Sequence, residues 1–185
     1  MRALLTALSA LVILAYPFAV YFGVERFGIQ AISGVLVSVF VIRILSSNKV
    51  KLKEFKHLAW VSGLTGITLS VLGVLFKQHG WLTFYPVVVN LCMLTVFAIS
   101  LTQPQSIIER FARLQQPSLP ESAIRYTHNV TKVWCGFFVI NASIALYTCF
   151  QSLEIWTLYN GLISYLAAGS LFAAEWIIRQ FVRED

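Results

Sequence analysis

Apolar runs of about twenty residues recur from one end of this chain to the other, and they constrain its fold more than any other feature. About 20 helical residues cross the hydrocarbon core of a bilayer. With no water there to satisfy the backbone, only helices or closed barrels cross it. Six runs can be drawn, at about 3–23, 28–46, 57–76, 82–102, 128–150 and 156–178. In 185 residues that are 58% hydrophobic and only 12% charged, they leave no room for a soluble domain. The expected fold is all-α: one transmembrane domain over 1–185, a polytopic membrane bundle of six transmembrane helices. The first run is too long for a signal-peptide core and lacks a convincing small-residue cleavage site, so it reads as a retained span.

Charge placement sets the orientation. Arg2, Arg43, Lys49, Lys51, Lys53, Lys56, Arg110, Arg113, Arg125, Arg179 and Arg183 fall on one side of the six runs. Arg26 and Lys77 fall on the other, and Lys132 lies within a run. The positive-inside rule then predicts an N-in/C-in topology with both long loops in the cytoplasm. The net charge of +6 is accounted for by topology rather than by nucleic acid. Trp81 and Trp156 are expected at the outer interface, and Trp60, Trp134 and Trp176 near the inner one.

Small residues punctuate two runs: Gly28, Ser33, Gly34 and Ser38 in the second, Ser62, Gly63, Gly66, Ser70 and Gly73 in the third. Such residues let helix backbones approach closely in lipid. Tight packing of the second span on the third is the plainer reading; homodimerisation through Gly63, Gly66, Ser70 and Gly73 is the other.

The longest polar interval, 103–127, carries two capping-box patterns, Ser106 to Glu109 and Ser118 to Glu121. The first predicts a short interfacial helix with Ile107, Ile108, Phe111 and Leu114 on one side, suited to a membrane surface. The second, with Pro120 tolerated in its first turn, predicts a helix running through Tyr126, His128 and Asn129 into lipid. That helix carries Lys132 with it. Glu175 lies in the next span. If the outer loop is centred between Leu153 and Glu154, Lys132 and Glu175 stand level and can pair. Two arrangements compete: Lys132 snorkels to the headgroups, or Glu175 takes Arg179 one turn away.

Polar residues within spans are functional candidates by default. Asn90 follows Pro86 by four residues, where it can bond a local carbonyl or reach another helix; Asn141 and Asn160 invite the same reading. With Lys132 and Glu175 they form the candidate intramembrane polar site, weighed against simple structural bonding between helices. Lys49, Lys51, Lys53, Lys56, Arg110, Arg113 and Arg125 form a candidate cytoplasmic docking face. It suits anionic lipid headgroups or acidic proteins held by salt-sensitive attraction.

Little else carries chemistry. Asp185 is the only aspartate, which removes paired-aspartate metal chemistry. No nucleophile elbow, phosphate-binding loop or His-x4-Asp pair occurs. Cys92, Cys135 and Cys149 lie in apolar runs without Cys-x-x-Cys spacing and read as buried thiols. His57 and His128 both begin spans on the cytoplasmic side; a bis-histidine haem between them is outweighed by the ordinary occurrence of histidine at helix starts. No catalytic residue, cofactor or metal is expected, and no enzyme activity is assigned.

The segments YPVVVN at 85–90, ERFARLQQPSLPESAIRYTHNVTKVW at 109–134, FFVIN at 137–141, LYNGLISY at 158–165 and FAAEWIIR at 172–179 form a pattern. It resembles an uncharacterised bacterial inner-membrane protein family encoded with enzymes of aryl-polyene and xanthomonadin-type lipid biosynthesis. A more distant similarity is to the intracellular septation protein A family. The resemblance carries no active site. It implies a Gram-negative inner membrane and a setting of acyl-chain assembly on carrier proteins. The expected function is a non-catalytic accessory or platform for cytoplasmic acyl-chain enzymes, with membrane lipids and acyl carrier protein as partners. The alternative is a transporter or flippase for the lipid product. A cavity lined by the asparagines favours the alternative; a closed, dry bundle favours the platform.

Overall fold

The computed structural model describes residues 15–46, 53–77 and 80–182, and every regular element among them is helical. In chain order these are α1 (Tyr16–Ser46), α2 (Lys53–Phe76), α3 (Gly80–Thr83), α4 (Tyr85–Leu101), α5 (Ile107–Gln115), α6 (Glu121–Thr148), α7 (Leu153–Leu158), a π-turn (Tyr159–Ile163) and α8 (Ser164–Val182). Five stretches are long and apolar enough to cross a membrane: Tyr16–Leu45, Ala59–Phe76, Gly80–Leu101, Glu121–Thr148 and Leu153–Gln180.

The first of these is two helical arms. Gly28 has φ 78° and ψ 161°, a backbone conformation open to glycine and costly for other residues. A Cβ on Gly23 would lie 2.4 Å from Ile32 Cδ1, and the Tyr16 and Phe40 rings are 6.4 Å apart. In one continuous helix those rings would stand about 36 Å apart. The arms therefore fold back on each other, as the first two predicted spans require. Their turn is at Gly28 alone; residues 24–27, expected as loop, are helical. Most of the first predicted span, 3–14, lies outside the described residues. The stretch accordingly contributes one or two of five to six spans.

Close approach sets the packing of the second arm on α2. A Cβ on Gly63 would lie 2.7 Å from Ile44, and one on Gly66 2.3 Å from the Phe40 ring. Ser62, Gly63, Gly66, Ser70 and Gly73 are all buried within the chain. This face is used internally, which closes it to the homodimer considered from composition.

Pro86 organises the centre. It has no N–H to offer the carbonyl four residues back, and its ring crowds that carbonyl. The helix accordingly breaks at Phe84, dividing one predicted span into α3 and α4. The carbonyls ahead of the break are taken by other helices. Tyr16 Oη donates to Leu82 O at 2.7 Å, and Trp156 Nε1 donates to Thr83 O at 2.9 Å. Cys149 Sγ donates to Thr83 O as well, at 3.2 Å. Around these bonds Tyr16, Val20, Leu36, Phe40, Leu82, Tyr85 and Trp156 form the main apolar cluster. Trp156, expected in an interfacial belt, is 0% exposed; its indole N–H is drawn inward by the orphaned carbonyl.

The polar interval folds partly as anticipated. Ser106 Oγ accepts from the Glu109 amide at 3.4 Å and opens α5. Glu109 does not reach back to complete the box, because its carboxylate is bound by Arg113 at 2.8 Å. Ser118 caps nothing: Pro120, extended at φ −67° and ψ 159°, is itself the N-cap of α6. The proline thus stands just outside the helix rather than in its first turn. Ile107 is buried against Phe97 and Phe138, and its amide bonds Ser100 Oγ at 3.0 Å, which docks the start of α5 on the end of α4 and the middle of α6. Phe111 and Leu114 remain exposed.

Candidate functional site: a polar cavity between the helices

Between both arms of α1, α2, α4, α6, the π-turn and α8 lies a cavity of about 400 Å³. Asn90, Asn141 and Asn160 all line it, although they lie far apart in sequence. Asn90 does both things expected of it. Its Nδ2 donates to Pro86 O at 2.8 Å, and its Oδ1 accepts from Asn141 Nδ2 at 2.9 Å. Asn141 Oδ1 in turn accepts from Tyr159 Oη at 2.8 Å. This chain of bonds joins α4, α6 and the π-turn in an interior where an unmet polar group is costly.

Asn160 is held from the other side. Its Nδ2 donates to Thr148 Oγ1 at 3.0 Å and to Trp156 O at 2.9 Å. The π-turn that carries it packs closely on the first arm, where a Cβ on Gly161 would lie 2.9 Å from the Phe18 ring. Wider turns of this kind often occur at functional sites. Asn160 Oδ1 is buried without a hydrogen-bond partner, as is Tyr85 Oη, and both residues line the cavity. The Tyr85 ring is clamped, 4.7 Å from Tyr16 and 4.9 Å from Phe40.

The cavity also contains a cation missing from the expected site. Arg43, counted by its position in the chain with the cytoplasmic basic residues, lines the cavity with Tyr85 and Ser62, and its Nε is buried without a partner. It follows Phe40 by one turn of the second arm, and Phe40 stacks on Tyr85 at the beginning of α4. The rest of α4, about 24 Å of helix, continues past this level. Arg43 therefore lies within the bundle rather than at its edge. The sequence signal was available, an arginine three residues after a phenylalanine on the glycine-packed face, but counting charges toward the nearest loop hid it. The remaining walls are mainly apolar, with Val89, Met93, Phe137 and Phe138 prominent. No family model, no curated protein and no solved structure matches this chain.

Lys132 and Glu175 are not brought into this site. Lys132 is exposed on α6, whereas Glu175 binds Arg179 through Nε at 3.0 Å and Nη2 at 2.7 Å. The pairing fails on register. The turn lies at 149–152, between α6 and α7, earlier than the loop centre assumed from sequence. It is Tyr126 that stands level with Glu175, donating to its carbonyl at 3.1 Å. Lys132 sits six residues further along α6, about 9 Å away along the helix axis. Substituting Lys132→Met and Glu175→Gln should therefore give additive changes in thermal stability in detergent, within about 0.5 kcal/mol; a larger coupling would contradict this arrangement.

The proposed docking face is less available than its charge count implies. Arg113 binds Glu109 and donates to Pro117 O at 2.9 Å. Arg110 donates to Gln105 O at 3.1 Å and to Gln103 Oε1. Arg125 is exposed and Lys56 half-buried; Lys49 and Lys51, and the side chain of Lys53, lie outside the described residues, as does the side chain of His57. His128 lines a second cleft with Ser106, Glu109, Glu121 and Arg125. No group of three or more His, Cys, Asp or Glu residues suited to a metal occurs among the described residues. The three cysteines are free and half-buried.

Proposed function

We propose that this protein is a multi-pass inner-membrane protein that takes an acyl-chain lipid into the cavity between its helices and carries it through or along the bilayer. The observation that carries this reading is the cavity itself. Polar groups from six separate helical elements, including the three asparagines, meet apolar walls in a volume within the usual range for ligand pockets of about 300–1,000 Å³. A platform for cytoplasmic enzymes needs no such interior, so lipid transport is preferred to the accessory role. The proposed topology is N-in/C-in, with α5 resting on the cytoplasmic membrane surface through Phe111 and Leu114. The resemblance to proteins encoded with aryl-polyene lipid enzymes suggests cargo from acyl-chain assembly. The segments at 49–56 and 106–125 remain the proposed place for an acyl carrier protein to dock.

The test is lipid translocation in proteoliposomes carrying a fluorescent acyl lipid, with quencher added outside. The wild-type protein should speed loss of inner-leaflet fluorescence at least tenfold over protein-free vesicles. Ala168→Trp, which fills the cavity from α8 without removing a polar group, should abolish most of that gain. Equal rates with and without the protein would overturn the transport reading.

A further inference from the structure

We infer that the cavity is an oxyanion site, and that the lipid it takes is an acidic amphiphile whose headgroup is bound by Arg43 and Tyr85. The inference rests on the lipid reading above and specifies its headgroup chemistry. Arginine side chains are cations in proteins, and the ion pairs among the described residues are Arg113 with Glu109 and Arg179 with Glu175. None of the cavity's lining residues is acidic, so the protein does not neutralise this cation locally. Tyr85 is 3% exposed, its hydroxyl lies near Ser62 and Arg43 without a well-formed hydrogen bond, and the rings of Tyr16 and Phe40 prevent it from swinging away. Buried polar groups are almost always hydrogen-bonded. The Arg43 guanidinium, its buried Nε unmet, and the Tyr85 phenol present donors to the same cavity, and their natural complement is an anionic acceptor such as a carboxylate or phosphate.

The site has polarity as well as charge. Asn160 Oδ1, 3% exposed on average over its residue and also unpartnered, offers an acceptor that repels an oxyanion and welcomes a hydroxyl or water. The oxyanion is thereby directed to the Arg43 and Tyr85 wall. The acyl chain follows Val89, Met93 and Phe137. α8 supplies the outer wall through Ser164 and Ala168. The most apolar stretch of the helix from Leu153 to Gln180 has none of its residues buried. That thinly covered side is where a chain too long for 400 Å³ would pass into the bilayer.

The probe is a brominated stearate, added to the full-length protein in phosphatidylcholine nanodiscs and read by quenching of tryptophan fluorescence, with its methyl ester as the uncharged control. The acid should bind at least tenfold more tightly than the ester. Arg43→Gln should remove that preference, and Arg43→Lys should retain most of it. Tyr85→Phe should weaken the acid several-fold and leave the ester unchanged; it carries the test if Arg43→Gln does not fold. A phosphatidate should compete with the acid, whereas millimolar inorganic phosphate should not; displacement by phosphate would reassign the site to a soluble anion and overturn the lipid headgroup. Equal quenching by acid and ester in every variant would overturn the oxyanion site while leaving the lipid cavity standing. Quenching by neither would overturn the lipid reading itself.

Discussion

Trp156→Ala should be the most damaging single substitution in the chain, costing about 3–5 kcal/mol. Its side chain is 0% exposed and meets the Tyr16 ring edge-on at 6.4 Å. Removing it opens a void bounded by α1, α3 and α6 and strips Thr83 O of its stronger donor. Trp156→Phe separates these effects: it keeps most of the packing and loses only the indole N–H, so it should cost about 1–2 kcal/mol. The measurement is thermal unfolding in detergent, followed by a fluorescence probe other than tryptophan. If alanine and phenylalanine proved equally mild, the indole would not be the centre of the fold.

Asn141→Leu should cost about 2–4 kcal/mol, a large effect for a side chain with the same number of heavy atoms and the same branching. Two groups lose their partners at once, the buried Asn90 Oδ1 and the half-buried Tyr159 Oη, and a buried orphan costs about 1–3 kcal/mol. Interhelical hydrogen bonds in membranes are often worth less than 1 kcal/mol when the partner can find another bond. Here Asn90 is fixed by its bond to Pro86 O, so its freed oxygen has nowhere to turn. Adding Asn90→Leu to Asn141→Leu removes one orphan. The double variant should therefore be about 1–2 kcal/mol more stable than the sum of the single losses predicts. Additivity would show that the two amides do not act as a unit.

The features legible in the sequence share one property: each is decided within a few residues. Hydropathy over twenty residues located the spans because bilayer thickness sets their length. Ser106 announced the start of α5 because a cap joins residues three apart, and Asn90 announced its bond to Pro86 because i and i+4 share a helix face. The glycines of α2 signalled close packing because only a missing Cβ permits it. Where a local rule failed, a neighbour had a better offer, as when Arg113 took Glu109 from the capping box.

What only tertiary structure decided is how the helices slide and tilt against one another. The membrane sets how long a span is, but not which residue stands level with which. A turn placed a few residues early moved Tyr126, rather than Lys132, beside Glu175. An orphaned carbonyl on α3 turned the Trp156 indole into the bundle. Close packing on Gly63 and Gly66 carried Arg43 inward with Phe40, to the wall it shares with Tyr85. The sequence by itself determined an all-helical chain, the apolar runs long enough to span a bilayer and the polar residues within them. The cavity, and the cation inside it, arose from contacts between residues tens of positions apart, where the free energy of packing outweighs any preference read along the chain.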